Sequence, residues 1–359
     1  MHRRRLAVGD PQAPFPVFLR ILERHGLLDG RRRLRDEVSL VSIGDHFDWG
    51  GRPQRAEAAE SALTLLEWLA SHPAAQVQLV AGNHDLARVG ELALFDDESF
   101  RVAQAEADRI YRGGVVDADD EARFLERWPA LPSAEFAARD AASFRSEQRA
   151  TVAKLLRSGR FLLGVAADDD LLLCHAGVTV DDLRLAGLEA DACRDARAVA
   201  AALNAALAAA VAGWDGHGPL AIPGLHRPGS ARDGESRGIL VQRPAHPARS
   251  EPALFEGPLR RRFDPRRLPA ALTQAVGHIR DTKCRAMLGP WSDSAPGRDG
   301  PLRHLRARGD EVRYARGLPA AAAPGAATLV FLDGGMNFIA DVADYELFDL
   351  DARCPLPAC

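Results

Sequence analysis

Val80-Ala81-Gly82-Asn83-His84-Asp85 is the stretch on which the reading of this chain turns. Residues 77–80 form a short, mostly apolar run suited to a buried strand, and the run breaks at Gly82 into three polar residues. An amide, an imidazole and a carboxylate at the carboxyl end of a strand stand where open α/β sheets place ligands and chemistry. Alone, the triplet reads as an ordinary turn with a capping residue. Four more stretches repeat the arrangement: Leu6-Ala-Val-Gly-Asp10-Pro-Gln12, Val41-Ser-Ile-Gly-Asp45-His-Phe-Asp48, Leu171-Leu-Leu-Cys-His175-Ala-Gly177 and Ala275-Val-Gly-His278-Ile-Arg280. Solvated turns do not readily produce five apolar runs that each end in Asp, Asn or His.

Between these runs the pattern changes period. Phe15, Phe18, Leu19 and Leu22 recur at helical spacing, with Gly26 as a stop, and Ala62, Leu65, Leu66 and Leu69 mark one face of a helix over 53–71. Strands are expected at 6–8, 37–43 and 77–80. This β-α-β-α-β alternation argues for parallel strands flanked by helices. Residues 86–159 are rich in Ala, Glu, Arg and Asp, with an interruption at Trp128-Pro-Ala-Leu-Pro132. They read as a helical insertion that leaves directly from the Asn-His-Asp loop and overhangs it, with a helix over 145–158. Antiparallel strands are expected at 161–165 and 171–174, a helix over 191–212, strands at 273–276 and 327–332, and a last strand or hairpin within 338–350. Residues 214–236 form a Gly/Pro/His/Arg loop too long for a mere connector. No repeat or linker divides the chain, so residues 1–359 are expected to form a single domain.

The composition excludes several classes. A hydrophobic share of 47% and 27% charged residues describe an ordinary globular protein. A formal net charge of −4 supplies no field that would draw it to nucleic acid or an anionic membrane, and nucleic acid is not an expected substrate. No apolar run reaches the ~18 residues of a membrane span, and no signal-peptide core follows Arg3-Arg4-Arg5, so a cytoplasmic location is expected. Five cysteines without metal-like spacing read as reduced thiols; only Cys354 and Cys359 are close enough for a local disulfide. Lys154 and Lys283 are the only lysines, a preference for arginine that reads as coding bias.

In order, Gly9-Asp10, Gly44-Asp45-x-x-Asp48, Gly82-Asn83-His84-Asp85, His175-Ala-Gly177 and Gly277-His278 resemble the motif series of the calcineurin-like metallophosphoesterases. Phe331-Leu-Asp-Gly-Gly335 is similar to that family's closing strand segment. The texture is nearest the bacterial branch related to serine/threonine protein phosphatases and dinucleoside tetraphosphatases. The resemblance implies a four-layer α-β-β-α sandwich of two mixed sheets flanked by helices, here with the helical insertion. It also implies hydrolysis of a phosphomonoester or phosphoanhydride by a hydroxide bridging two divalent metal ions. Asp45 would bridge the metals, Asn83, His175 and His278 would complete one site, and Asp10 would belong to the other. His84 would be the general acid, oriented by Asp48, a pairing that makes physical sense. The metals would be Mn²⁺ first, with Fe, Zn, Ni or Mg as alternatives. The substrate would be a phosphorylated small molecule, a nucleotide or a phosphoprotein.

The chain departs from the family where an imidazole usually serves the Asp10 metal. Gln12 and Arg280 stand there, and a Gln carbonyl oxygen with Asp10, Asp45 and water suits a hard, exchangeable ion. Arg280 becomes a candidate phosphate contact, because its planar fork suits a phosphoryl group, and Arg88 is a second. His46 is expected to pack rather than ligate, and so is Trp49, which stands where phosphatases of the family carry arginine. His217, His226 and Arg227 lie in the long loop without a clear role. A weakened first site raises the alternative of a catalytically reduced binding or scaffold protein, against which the retention of both His84 and Asp48 counts. A nuclease would need a basic stripe with interleaved aromatics, and none is seen.

Overall fold

The fold described here is that of a computed structural model, in which residues 3–319 and 324–357 are described. Arg4–Val8 pairs in parallel with Val38–Ser42, that strand with Val77–Val80, and Val77–Val80 with Phe161–Leu162. On its other side Arg4–Val8 takes Phe348–Asp349, and that strand takes Cys354–Pro355, both antiparallel, which completes a sheet of six. The second sheet of six centres on the parallel strands Leu171–Cys174, Thr273–Val276 and Ala327–Phe331. Gly164–Ala166 closes one edge, and the hairpin Arg303–Arg308 and Glu311–Arg316 the other, all antiparallel.

The period of two in these strands assigns each side chain to a layer. Ala7, Val41 and Val80 from one sheet and Leu171, Leu173, Ala275 and Val330 from the other form a single apolar cluster between the sheets. Their neighbours Leu6, Val8, Leu40, Leu79, Leu172, Val276 and Leu329 face outward. They join Phe18, Leu22, Leu65 and Leu69 of the helices Phe15–Arg24 and Arg55–Ala70, and Val199 and Leu203 of Ala196–Ala212. Both faces of both sheets are covered, as parallel strands require. The result is a four-layer α-β-β-α sandwich.

Residues between 86 and 159 include the helices Asp97–Ile110, Ala118–Arg127 and Ser146–Arg157 and a π-helical turn Phe136–Asp140. Asp96 caps the first helix through Ser99 N (2.8 Å), and Asp117 caps the second. Leu92, Phe95, Phe100, Phe124 and Phe144 pack into a small core separate from the main one.

Two local expectations are corrected, and one hairpin had none. Residues 161–165 are not one strand: Phe161–Leu162 belongs to the first sheet and Gly164–Ala166 to the second, so the chain crosses between layers at Leu163. Asn204 Oδ1 holds that crossing by accepting from Leu163 N (2.8 Å) and Gly164 N (3.2 Å). Within 338–350 only Phe348–Asp349 is strand, because Asp341 caps a 3₁₀ turn at Val342–Asp344. The hairpin 303–316 went unread. Its buried positions Arg303, Leu305 and Ala307 alternate correctly, but a fully buried arginine at the first of them hides the pattern. Cys174, Cys193, Cys284 and Cys354 are free thiols, and the Cys354–Cys359 pairing lies outside the described residues. Among the described residues no helix is long and apolar enough to cross a membrane.

Candidate metal centre and its cavity

The strand-end residues sit on strained backbone. Asp10, Asp45, Asp48 and His278 have positive φ (29°, 51°, 65° and 69°), a region that costs a residue with a Cβ about 1–3 kcal/mol. The glycines beside them leave no room for a side chain: a Cβ at Gly82 or Gly277 would fall on the Oδ1 of Asp45 or Asp10. Asp85 ties the loops together. Its carboxylate accepts from Gly82 N (2.8 Å), Asp45 N (3.1 Å) and His46 N (3.1 Å). His46 is fully buried between Asp85 (3.0 Å) and Ser42 Oγ (2.9 Å), so it packs and does not ligate.

One set of donors converges. Nδ1 of His175 faces the carbonyl of Ile43 (2.8 Å), which can only accept, so Nδ1 carries the hydrogen. Nε2 then points at Asn83 Oδ1 (3.1 Å) and Asp45 Oδ2 (3.3 Å), a meeting that requires a cation between them, proton or metal. Nε2 of His278 faces the carbonyl of Val241 (3.0 Å), which leaves Nδ1 as its free lone pair. Burial, then the charges of Arg243 and His175, hold His278 neutral far below the usual histidine range, the form that binds metal. One donor atom each from Asp45, His175 and His278 lie within 4.8 Å of one another. Hydrogen-bonded imidazoles of fixed tautomer beside a carboxylate and an amide oxygen fit a divalent ion of intermediate hardness.

Asp10 adjoins this set. Its Oδ2 accepts from His278 N (2.7 Å), while its buried Oδ1 has no hydrogen-bond partner among the described residues. Burial, Asp333 and Asp45 raise its pKa well above the usual carboxylate value. A buried carboxylate facing two others calls for a cation, so Asp10 also fits a metal. Gln12 donates its amide to the carbonyl of Phe47 (2.7 Å), which fixes it against the Asp45 loop. Asp333, in the closing segment, is a carboxylate the sequence reading did not assign; it is buried, with Oδ1 accepting from Gly335 N (2.9 Å).

His84 stands at the edge of the donor set, with Nδ1 on Asp48 Oδ2 (2.9 Å), backbone N on Asp45 Oδ1 (2.8 Å) and Nε2 4.0 Å from Asp45 Oδ2. Burial opposes a charge on the ring, but Asp45 and Asp48 outweigh it and raise the pKa to about 9. Asp48 is itself secured: Arg88 Nη1 donates to Oδ2 (2.6 Å), and Ser143 N and Oγ donate to Oδ1 (3.0 and 2.7 Å).

Two expected phosphate contacts are placed elsewhere. Arg88 is fully buried and bonded to Asp48, the carbonyl of His84, Gln148 and Ser143, so it has no face for a ligand; it anchors the partner of His84 instead. Arg280 forms a bidentate pair with Asp299 and lies over the Phe338 ring (3.6 Å), and it does not line the cavity that holds His84. His226 is buried, and Trp49 is packed at 8% exposure.

The cavity in front of Asn83 and His84 measures about 280 Å³. The segments 132–140 form one wall, and Arg243, Arg261, Arg262 and Lys283 form another. Sequence reasoning missed this basic wall. The one available signal was that Lys283 is among only two lysines in an arginine-rich chain.

Buried carboxylates, tautomer-fixed imidazoles and an amide at strand ends, facing a polar cavity, define the class: a metal-dependent hydrolase centre. The profile of the calcineurin-like phosphoesterase family matches residues 3–192, more than half of the chain. The chain belongs to the calcineurin-like phosphoesterase family and is a phosphatase-type hydrolase. The match spans Asp10 to His175 and stops short of His278. No curated protein sequence matches the chain. Among solved structures, a cold-active protein-tyrosine phosphatase of a psychrophilic Shewanella species is 14% identical, covering 97% of this chain and 75% of that one (TM-score 0.37). A point mutant of a cold-active protein tyrosine phosphatase is 13% identical, over 97% and 75% (TM-score 0.40). A protein serine/threonine phosphatase from Saccharomyces cerevisiae is 14% identical, over 90% and 81% (TM-score 0.35). Family membership rests on the sequence match.

Proposed function

We propose that this protein hydrolyses a phosphomonoester or phosphoanhydride at a two-metal centre, with His84 as general acid. The observation that carries the reading is the chain Arg88–Asp48–His84, which ends beside the donor set and opens on the cavity. Asn83, His175, His278 and Asp45 would hold one divalent ion, and Asp10, Gln12 and Asp45 the other, Mn²⁺ being the ion favoured by so many oxygen donors. Bound ions in such a site supply Lewis acidity toward phosphoryl oxygens and water. Asp48 keeps the proton on His84 through neutral pH, and His84 delivers it to the departing oxygen. Arg88 and Ser143 prevent Asp48 from turning away. Free thiols at Cys174, Cys193 and Cys284 accord with a reducing, cytoplasmic setting.

The test is hydrolysis of p-nitrophenyl phosphate with added Mn²⁺ by wild type, D45N and H84A. D45N should lose activity and metal together. H84A should retain its metals yet lose activity on a substrate with a poor leaving group; full activity there would sink the assignment of the acid. Fewer than about one and a half metals per chain after Mn²⁺ loading would sink the two-metal claim.

A further inference from the structure

Two excursions leave the sandwich, the insertion over 86–159 and the hairpin in which His226–Arg227 pairs with Arg237–Gly238, and the structure fastens one to the other. The fastening centres on one buried carboxylate. Glu91 is 3% exposed, and its Oε1 accepts from Gly229 N (2.8 Å) on one leg of the hairpin and from Ser236 Oγ on the other. Nearby, Leu220 N donates to the carbonyl of Val89 (2.7 Å) and Ala231 N to that of Pro129 (3.1 Å). Glycines permit the close approach: a Cβ at Gly229 would stand 2.8 Å from Pro132 Cβ, and one at Gly90 would stand 3.2 Å from Pro228 Cγ. Burial raises the pKa of Glu91, and the bonds from Ser236 and Gly229 oppose that rise. Among the described residues Glu91 forms no ion pair, so hydrogen bonds from the hairpin are the chief offset to the cost of burying it.

Both fastened parts form the cavity. Pro132, Phe136 and Asp140 line it from the insertion, and Glu235 and Ser236 line it from the hairpin. Glu235 pairs with Arg261, which leaves that stretch of wall without net charge and suits the uncharged part of a phosphoester better than its phosphoryl oxygens. The metal donors do not depend on this contact. The chain beyond the hairpin, up to the Val241 carbonyl that meets His278, is held separately by Gly238 N on the carbonyl of Arg260 (3.0 Å) and Ile239 N on that of Leu225 (2.9 Å). We propose that Glu91 is a positioning residue: without touching substrate, it fixes Glu235 and Ser236 as a wall of the cavity and so determines how the departing group of the substrate is held. This rests on the phosphoesterase reading above and gives the insertion and the long loop a joint task within it.

The test compares the Mn²⁺-loaded full chain as wild type, E91A, E91Q and S236A. For p-nitrophenyl phosphate, E91A should raise KM about fivefold or more, while the inhibition constant of inorganic phosphate, which reports the phosphoryl site alone, stays within about twofold. Neither constant depends on the folded fraction, so a loss of stability does not imitate the split. E91Q keeps the accepting oxygen and should bring KM back to within about twofold of wild type. Should E91A not fold, S236A removes one of the two bonds from the hairpin side and should itself raise KM about threefold or more, again with inorganic phosphate unmoved. Amide hydrogen exchange in peptides from 226–238 should quicken in E91A and S236A and not in E91Q. If exchange quickens while KM holds, Glu91 only anchors the fold and the proposal is wrong. If KM and the phosphate constant rise together, or E91Q is as impaired as E91A, it is equally wrong, and in each of these cases the phosphoesterase reading stands. If wild type hydrolyses no substrate with any divalent ion, both fall.

Discussion

Replacing Asp48 by Asn separates proton delivery from every other task of the site. Asp48 lies 2.9 Å from His84 Nδ1 and 2.6 Å from Arg88 Nη1, and both bonds are charge-assisted. Such a bond contributes roughly 1.5–3 kcal/mol, which is one to two pKa units on the imidazole. Asp45 also supports the charge on His84, but in the proposed metal-loaded enzyme that carboxylate would be committed to metal, so Asp48 would carry most of the burden. D48N should therefore lower the pKa of His84 by about one to two units, leaving half or more of the rings unprotonated at pH 8. For an alkyl phosphate, whose leaving oxygen needs a proton, kcat should drop by about 10²-fold or more. For p-nitrophenyl phosphate, whose phenolate leaves unaided, the drop should stay within about fivefold, since general acid catalysis adds little to a good leaving group. The substitution also leaves Arg88 buried without its anion, at a cost of about 3–5 kcal/mol in stability. The assay is consequently the ratio of the two rates in one preparation, because a smaller folded fraction lowers both equally. Wild-type activity on the alkyl phosphate should fade at alkaline pH as His84 loses its proton, and in D48N that limb should shift down by about a unit or more. Equal losses on the two substrates, with no shift of the limb, would refute the role of Asp48 and His84 as an acid pair.

His226 is buried, and desolvation lowers its pKa to about 4 against an ordinary value of 6.5. The unfolded chain takes up that proton first as pH falls, so the stabilisation is complete above 6.5 and is lost on the way down to 4. Urea unfolding should show about 3 kcal/mol of such loss, and H226L should not show this share of it. G277A places a methyl group on Asp10 Oδ1 and should lower metal content by about one ion per chain without changing the far-ultraviolet dichroism; a full metal complement would contradict the placement of Asp10 at a metal. D333N removes one of three crowded carboxylates, so the metal-free protein should gain about 1 kcal/mol, a rise in Tm of about 2 °C, while the further rise on adding Mn²⁺ shrinks.

What the sequence made legible, and what it hid, follows from the range of the interactions involved. Strand ends announce themselves because apolar runs stop abruptly at glycine and a ligand-type residue follows, so Asp10, Asp45, Asn83, His175 and His278 could be collected without knowing their distances. The relation of His84 to Asp48 was readable only through the family resemblance, since 36 residues separate them. Arginine roles were not readable at all. Arg88 and Arg280 stand beside motif residues, yet their partners Ser143, Gln148 and Asp299 are set by tertiary contact. Arg243 and Arg262 lie in segments with no strand signature and meet only through a two-residue pairing. Asp333 was quoted within its motif but passed over, because its weight comes from facing Asp10 across the layers.

Two crowded sets of like charge, carboxylates among the strand-end loops and cations on the cavity wall, are the strongest physical argument for a reaction between metal and phosphate. Asp10, Asp45 and Asp333 crowd together, and Asp10 Oδ1 has no hydrogen-bond partner among the described residues; Arg243, Arg262 and Lys283 line the cavity and, among the described residues, form no ion pair with a carboxylate. Either cluster alone would destabilise the fold, and the positive φ angles at Asp10, Asp45, Asp48 and His278 add strain of the same sign. The two groups form no direct ion pair among the described residues, although the charges of Asp45 and Asp333 are felt at Arg243. Divalent cations among the carboxylates and a phosphoryl group beside the cations would relieve both, and each would then be the counter-ion of the other. A scaffold protein has no use for a cleft so unfavourable when empty. A hydrolase does, since what is relieved on binding is drawn from the same charges that must be matched when the phosphoryl group moves.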